Sequence, residues 1–202
     1  VVFVAGSKEI AIPYLDPRRE EFLEYDLSEA LVRIFRKEQV KIGVLSSLPV
    51  AGAAAGDNPM MGEGEGEPWI FVTDMKRNFD VQSVPGDIKE IGGDLKALII
   101  IHPKGLSDAT LYAIDQYLMH GGRLIVAVDP MSRVDMATSG QAARMTGQMP
   151  QVASDLDKLF KAWGVEYDRS QMVGDAAYVT QINAGGPVVA YPYFMTLTAE
   201  AF

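Results

Sequence analysis

The chain has 202 residues, of which 48% are hydrophobic and 22% charged, a balance that suits a folded domain with a sizeable core and not a disordered chain. Its net charge of -9 repels a phosphate backbone, and no stretch gathers Lys and Arg with aromatics into a basic stripe, so no nucleic-acid partner is expected. With no Cys at all, the chain has no disulfide, no thiolate metal site and no cysteine nucleophile.

Residues 1–4, "VVFV", read as a strand entered without a leader or signal peptide. No apolar run reaches the roughly 18–20 residues that span a bilayer. The chain is therefore expected to be a piece of a longer protein whose anchor lies outside it. "YDLSEALVRIFRKE" predicts a helix, since Leu27, Ala30, Leu31, Ile34 and Phe35 share one face. Asp26 and Glu29 stand where a cap and its partner three residues on belong, and Arg36 and Lys37 suit the negative end of the helix dipole. "VKIGVLSSLP" then reads as a strand covered on both faces, ending at Pro49.

Residues 50–67 are rich in Gly and Ala and lack a hydrophobic period, which predicts a long loop. Its Glu63, Glu65 and Glu67 alternate with glycines but lack the spacing of a calcium loop, so they read as solvated. Pro68 suits the first position of a helix through "WIFVTDMKRN", and "FDVQSV" reads as a short strand.

The clearest unit follows. "ALIII" predicts a buried strand, and "SDATLYAIDQYLMHGG" a helix capped by Ser107, favoured by Asp108 and stopped at Gly121 or Gly122. Leu111, Ile114 and Leu118 form its expected inner face. "RLIVAV" is the next strand, closing a strand, helix and strand unit. Residues 131–152, with Met131, Met136, Met145 and Met149 scattered among polar residues, predict a second flexible loop. "SDLDKLFKAWGV" predicts a helix with Ser154 and Asp157 as a cap pair, Leu156, Leu159, Phe160 and Trp163 on its inner face, and Gly164 as its stop. Beyond residue 170 the pattern suggests short strands and turns of unassigned pairing. The expected division is an α/β domain over 1–175 and a strand and turn extension over 176–202.

Strands alternating with helices predict an α/β fold, an open, mainly parallel sheet with helices on both faces. In such folds ligands gather outside the carboxyl ends of the strands. Three strand ends carry chemistry: Ser46 and Ser47, then His102 and Lys104, then Asp129. A serine, a histidine and an aspartate at neighbouring strand ends invite a triad reading. The serines, however, lie in "LSSLP" and lack the G-x-S-x-G elbow of a hydrolase. His102 precedes Pro103, which is expected to hold it in extended geometry from which it can still reach a ligand. Asp129 reads first as a turn cap before Pro130, and His120 as a polar group at a helix C-terminus. These five strand-end residues are thus ligand-binding candidates, with no catalytic residue assigned. Two histidines and no close ligand motif predict no metal site. Neither a dinucleotide nor a phosphate loop follows any strand, so the chain is not expected to be an ATPase, and no cofactor is expected.

The motifs "EYDLSEAL", "KIGVLSSLPVAG", "HPKGLSD", "LYAIDQYLMHGGRLIVAVDP" and "DLDKLFKAWGVEYD" occur in that order across most of residues 15–175. Together they resemble the GldG-like family, the auxiliary component of an ABC transport system associated with gliding motility. The resemblance implies a periplasmic domain held by membrane segments absent from this chain, with an ABC permease and ATPase as partners. It also implies a fold similar to the class I glutamine-amidotransferase-like, or flavodoxin-like, α/β layer, a framework that serves binding proteins without catalysis. It transfers no catalytic residue, and an amidotransferase nucleophile would need the cysteine this chain lacks. The resulting expectation is a non-enzymatic auxiliary domain acting by protein interaction or ligand binding. The alternatives are a small-molecule receptor, for a sugar or peptide, at the strand ends, and behind it a serine hydrolase.

Overall fold

A computed structural model describes residues 1–12, 14–36, 38–52, 67–137, 147, 151–172, 174–183 and 186–197. It opens with a hairpin, β1 (Val2–Ala5) and β2 (Lys8–Ala11), turned at Gly6 with φ 61°. A 3-10 helix, Pro17–Phe22, is capped by Asp16, whose carboxylate accepts from the Arg18 N–H, and leads into α1, Leu23–Phe35. The helix thus begins before the expected cap: Asp26 lies inside its first turn, and Phe22 at its start makes no side-chain cap bond. Its apolar stripe is narrower than its spacing suggests. Ala30 and Ile34 are buried, whereas Leu31 and Phe35 are exposed because α1 lies beside the small hairpin, away from the main core.

The centre of the molecule is a four-stranded, all-parallel sheet in the order β4, β3, β5, β6. Its strands are β3 (Val40–Ser46), β4 (Phe79–Ser83), β5 (Ala97–Ile101) and β6 (Leu124–Ala127). Helix α2 (Ile70–Asn78) follows β3, and α3 (Asp108–Met119) follows β5. Pro68 precedes Trp69, which stands at the N-cap, so the helix starts slightly later than expected.

From β3 the chain steps to one side to make β4, then returns to the other side of β3 for β5 and continues outward to β6. Right-handed crossovers running in opposite directions put their helices on opposite faces, and the packing agrees. Leu45, Leu98 and Ile100 face α3 and the later helix at Asp157–Trp163, whereas Val44, Ile99 and Ile101 join Val72 and Trp69 on the side of α2. The alternation within "ALIII" serves both cores, as a period of two requires. Leu98 and Ile100 are fully buried, each stabilising the fold by about 1.5–3 kcal/mol.

Helix α3 keeps its expected ends: the Ser107 hydroxyl accepts from the Thr110 N–H at 3.1 Å, and Gly121 takes φ 87°. Its buried face is turned from the expected one, with Thr110, Ala113, Ile114 and Tyr117 innermost and Leu111 half-buried. The cause is Tyr117, whose hydroxyl donates to the Leu95 carbonyl at 3.2 Å beneath the sheet. Gly122 passes so close to the Tyr117 ring that no Cβ fits there.

The expected loop at 131–152 contains order: residues 133–137 form a helical segment, α4. Residues 138–146 and 148–150 lie outside the described residues, with Met145 and Met149, as do 53–66 of the first predicted loop, with Glu63 and Glu65. Helix α5, Asp157–Trp163, ends at Gly164 with φ 73°, as expected. Its cap pair does not form, because Ser154 is engaged with Asp129 instead. Trp163 is packed against the core with its indole N–H on Asp115. The unassigned strands are an antiparallel hairpin, β7 (Val179–Ile182) with β8 (Val189–Met195). No helix among the described residues is long and apolar enough to cross a membrane.

Candidate functional site

The sheet order reverses between β3 and β5, and a crevice at such a switch point opens outside the carboxyl ends of the strands. Here it contains a cavity of about 650 Å³ lined by Leu48 after β3, Ile101 and His102 at the end of β5, and Ala127, Val128 and Asp129 at the end of β6. Trp69, Met131, Ser132, Met172 and Tyr191 complete much of its wall. The volume falls within the roughly 300–1,000 Å³ typical of small-molecule sites.

His102 takes φ 49°, which overturns the extended geometry expected before Pro103. A bulky residue reaches the left-handed region only where its surroundings enforce it. Three contacts do so. The His102 N–H donates to the Ala127 carbonyl at 2.8 Å, extending the β5–β6 ladder by one bond. Its carbonyl accepts from the Ser47 hydroxyl, and its ring Nε2 lies 3.2 Å from Asp135 Oδ2. The bend buries both His102, 2% exposed, and Pro103.

Asp135 joins two candidates. Its Oδ2 also accepts from Lys104 Nζ at 2.5 Å, and the same ammonium donates to the Gln151 carbonyl at 2.6 Å. A carboxylate only accepts, so Nε2 of His102 carries the proton in that bond. Asp135 is presented by α4, whose start is capped by Ser132: its hydroxyl accepts from the Asp135 N–H at 3.2 Å. The sequence reading did not single out Asp135 because 131–152 lacks a hydrophobic period. The available signal was Ser132 followed three residues later by Asp135, the spacing of a capping box.

The remaining strand-end residues hold the crevice walls. Asp129 lines the cavity while its Oδ1 accepts from the Met131 N–H at 2.8 Å, a turn cap as expected. Its backbone N–H donates to the Ser154 hydroxyl at 2.9 Å, and its carbonyl accepts from the Ser154 N–H at 2.9 Å, which ties β6 to the approach to α5. The Ser46 hydroxyl accepts from the Leu48 N–H at 3.0 Å. The tertiary structure therefore gathers Ser47, His102 and Lys104 around one bend, but in roles unlike a triad. Ser47 donates to a backbone carbonyl and not to an imidazole, and the carboxylate on the ring belongs to Asp135, not Asp129. Chemically the arrangement is an oriented imidazole at the wall of a mostly apolar cavity, without a nucleophile bonded to it among the described residues.

One ring atom stands apart: Nδ1 of His102 is buried with no hydrogen-bond partner among the described residues. Elsewhere, Lys8, Arg33, Arg36 and Arg77 line a cleft between α1, β2 and α2. There Arg36 donates to the Asn78 carbonyl at 2.7 Å, and Lys8 reaches the Arg36 carbonyl at 2.5 Å. These cations thus complement the carbonyl ends of α1 and α2.

Compared with known families, residues 39–201 match the model described as an ABC-type uncharacterized transport system, a family of auxiliary components. The match spans all four strands of the parallel sheet and every residue of the crevice named above. No curated protein and no solved structure gives a significant match.

Proposed function

Because the chain belongs to this family of ABC-type transport auxiliary components, we propose that it is the non-enzymatic, periplasmic domain of a membrane-anchored protein. It works there beside an ABC permease and ATPase, in the manner of the gliding-motility-associated systems that its motifs resemble. The match over residues 39–201 carries this reading. Two observations support it. The chain has no phosphate loop with which to hydrolyse nucleotide itself, and its strand-end serine hydroxyls bond backbone groups while the His102 ring bonds Asp135, so neither hydroxyl is paired with the imidazole.

The test is co-purification. The full-length protein, extracted from membranes with a mild detergent, is expected to carry an ABC permease and an ATPase with it through two affinity steps. Reproducible absence of the protein from the membrane fraction overturns the reading.

A second reading has its own observation. The cavity of about 650 Å³ at the switch point suits a small-molecule receptor that informs or loads the transport system. Both readings describe one protein if ligand capture is what the domain contributes to the assembly.

A further inference from the structure

We propose that the cavity takes a compact, mainly apolar small molecule through one neutral hydrogen-bond donor, a hydroxyl or N–H, given to Nδ1 of His102. This rests on the receptor reading above and specifies its chemistry.

The inference starts from an unsatisfied atom. Buried polar groups are almost always hydrogen-bonded, because losing water without a replacement is costly. His102 is 2% exposed and lines the cavity, yet Nδ1 has no partner among the described residues. Its chemistry follows from the other nitrogen. Nε2 donates its N–H to Asp135, and the Lys104 ammonium already balances that carboxylate. The neutral ring then keeps a lone pair on Nδ1, an acceptor that calls for a donor.

The ring is also set in advance. The left-handed backbone at φ 49° is pinned by Ala127 and Ser47, and the Asp135 bond fixes the ring's rotation. Such strain persists where a site needs a group aimed before its ligand arrives. The wall supplies the rest of the specificity. Leu48, Trp69, Ile101, Val128, Met131 and Met172 offer apolar contact, and methionines adapt to varied shapes. Asp129 and Arg133 line the same cavity with opposite charges, so the wall selects no net charge on the ligand, and the lone pair on Nδ1 sets the one directional requirement.

The experiment titrates the isotope-labelled 202-residue chain with phenol and, separately, with toluene, which replaces the hydroxyl by a methyl group of similar size. Methyl resonances of Ile101, Val128 and Met131 report occupancy, and the nitrogen resonances of His102 report the bond. Without ligand, His102 is expected to show a bare Nδ1 and a protonated Nε2; a proton found on Nδ1 overturns the proposal. Both probes are expected to shift the methyl resonances, and phenol alone the Nδ1 resonance. Met131→Trp, which adds bulk at the cavity wall, is expected to reduce the Ile101 and Val128 shifts from both probes. Methyl shifts from both probes with Nδ1 unmoved overturn the assigned acceptor and leave the receptor reading standing. No shift from either probe overturns the receptor reading and this proposal together.

Discussion

His102 and Asp135, 33 residues apart in the chain, meet with Nε2 3.2 Å from Oδ2 behind the wall that His102 gives to the switch-point crevice. The contact joins the end of β5 to α4, and Lys104 makes it a cluster of three by donating to the same oxygen at 2.5 Å. Removing the shared carboxylate leaves a buried ring N–H without its acceptor and the Lys104 ammonium with the Gln151 carbonyl alone. Asp135→Ala is expected to destabilise the chain by about 1–3 kcal/mol, read as a lower urea midpoint at unchanged slope. Lys104→Met is expected to cost less, because the Lys104 side chain is 27% exposed and water replaces part of what it loses. Equal costs would show that the lysine, not the buried imidazole, is what Asp135 chiefly serves.

The backbone at His102 makes a separate prediction. At φ 49° an asparagine is tolerated, whereas a β-branched residue meets a steric penalty. His102→Asn is expected to retain more stability than His102→Val, by roughly 1–2 kcal/mol. Equal thermal midpoints would mean that the bend relaxes out of the left-handed region in both variants.

Gly43 lies in the middle of β3 with the Leu95 and Val84 methyl groups each 2.9 Å from where a Cβ would stand. Gly43→Ala is therefore expected to cost about 1–3 kcal/mol by overpacking, despite the better strand propensity of alanine. Trimming the neighbour in the double variant Gly43→Ala with Val84→Ala is expected to give a favourable coupling in a denaturation cycle. Simple additivity would locate the strain elsewhere.

Lys41 and Asp94 form an exposed pair, with Nζ 2.7 Å from Oδ2. The hydrogen bond from Lys41, then its charge, holds the Asp94 carboxyl below the usual carboxylate range, and the reciprocal bond raises Lys41. A carboxyl lowered on folding stabilises the native state above its unfolded range and loses that contribution as pH falls through the folded value. Carbon NMR is expected to show Asp94 titrating late in acid, returning toward its ordinary range in Lys41→Ala or in high salt. An unchanged titration in Lys41→Ala would remove the pair as the cause.

The hydroxyls of Ser46 and Ser47 are engaged with the Leu48 N–H and the His102 carbonyl. A fluorophosphonate probe is accordingly expected to leave the chain unlabelled. Labelling that vanishes when both serines become alanine would restore the hydrolase alternative.

Much of the architecture is written locally. The run "ALIII", the Ser107 cap and the glycines at 121 and 164 specify their elements through short-range rules, because burial on both strand faces, capping and left-handed stops depend on neighbours a few residues away. Where two local signals compete, the sequence is ambiguous. Ser154 suits a helix cap by spacing, yet it bonds Asp129, a partner 25 residues away in the chain, and the Asp157 N–H goes to the Asp155 carboxylate instead. The same competition turns α3 toward Tyr117, whose hydroxyl finds the Leu95 carbonyl.

By itself, then, the sequence determined an alternating α/β chain, its strand ends and the presence of His102, Lys104 and Asp129 there, together with the motifs that mark its transport family. Only the tertiary structure decided the strand order, the left-handed bend at His102 and the choice of Asp135 as its partner. These depend on groups far apart in the chain being brought together by a shared core. No period or spacing encodes such a meeting, because its free energy arises only once the sheet has closed around β3 and β5 and water has left the crevice floor.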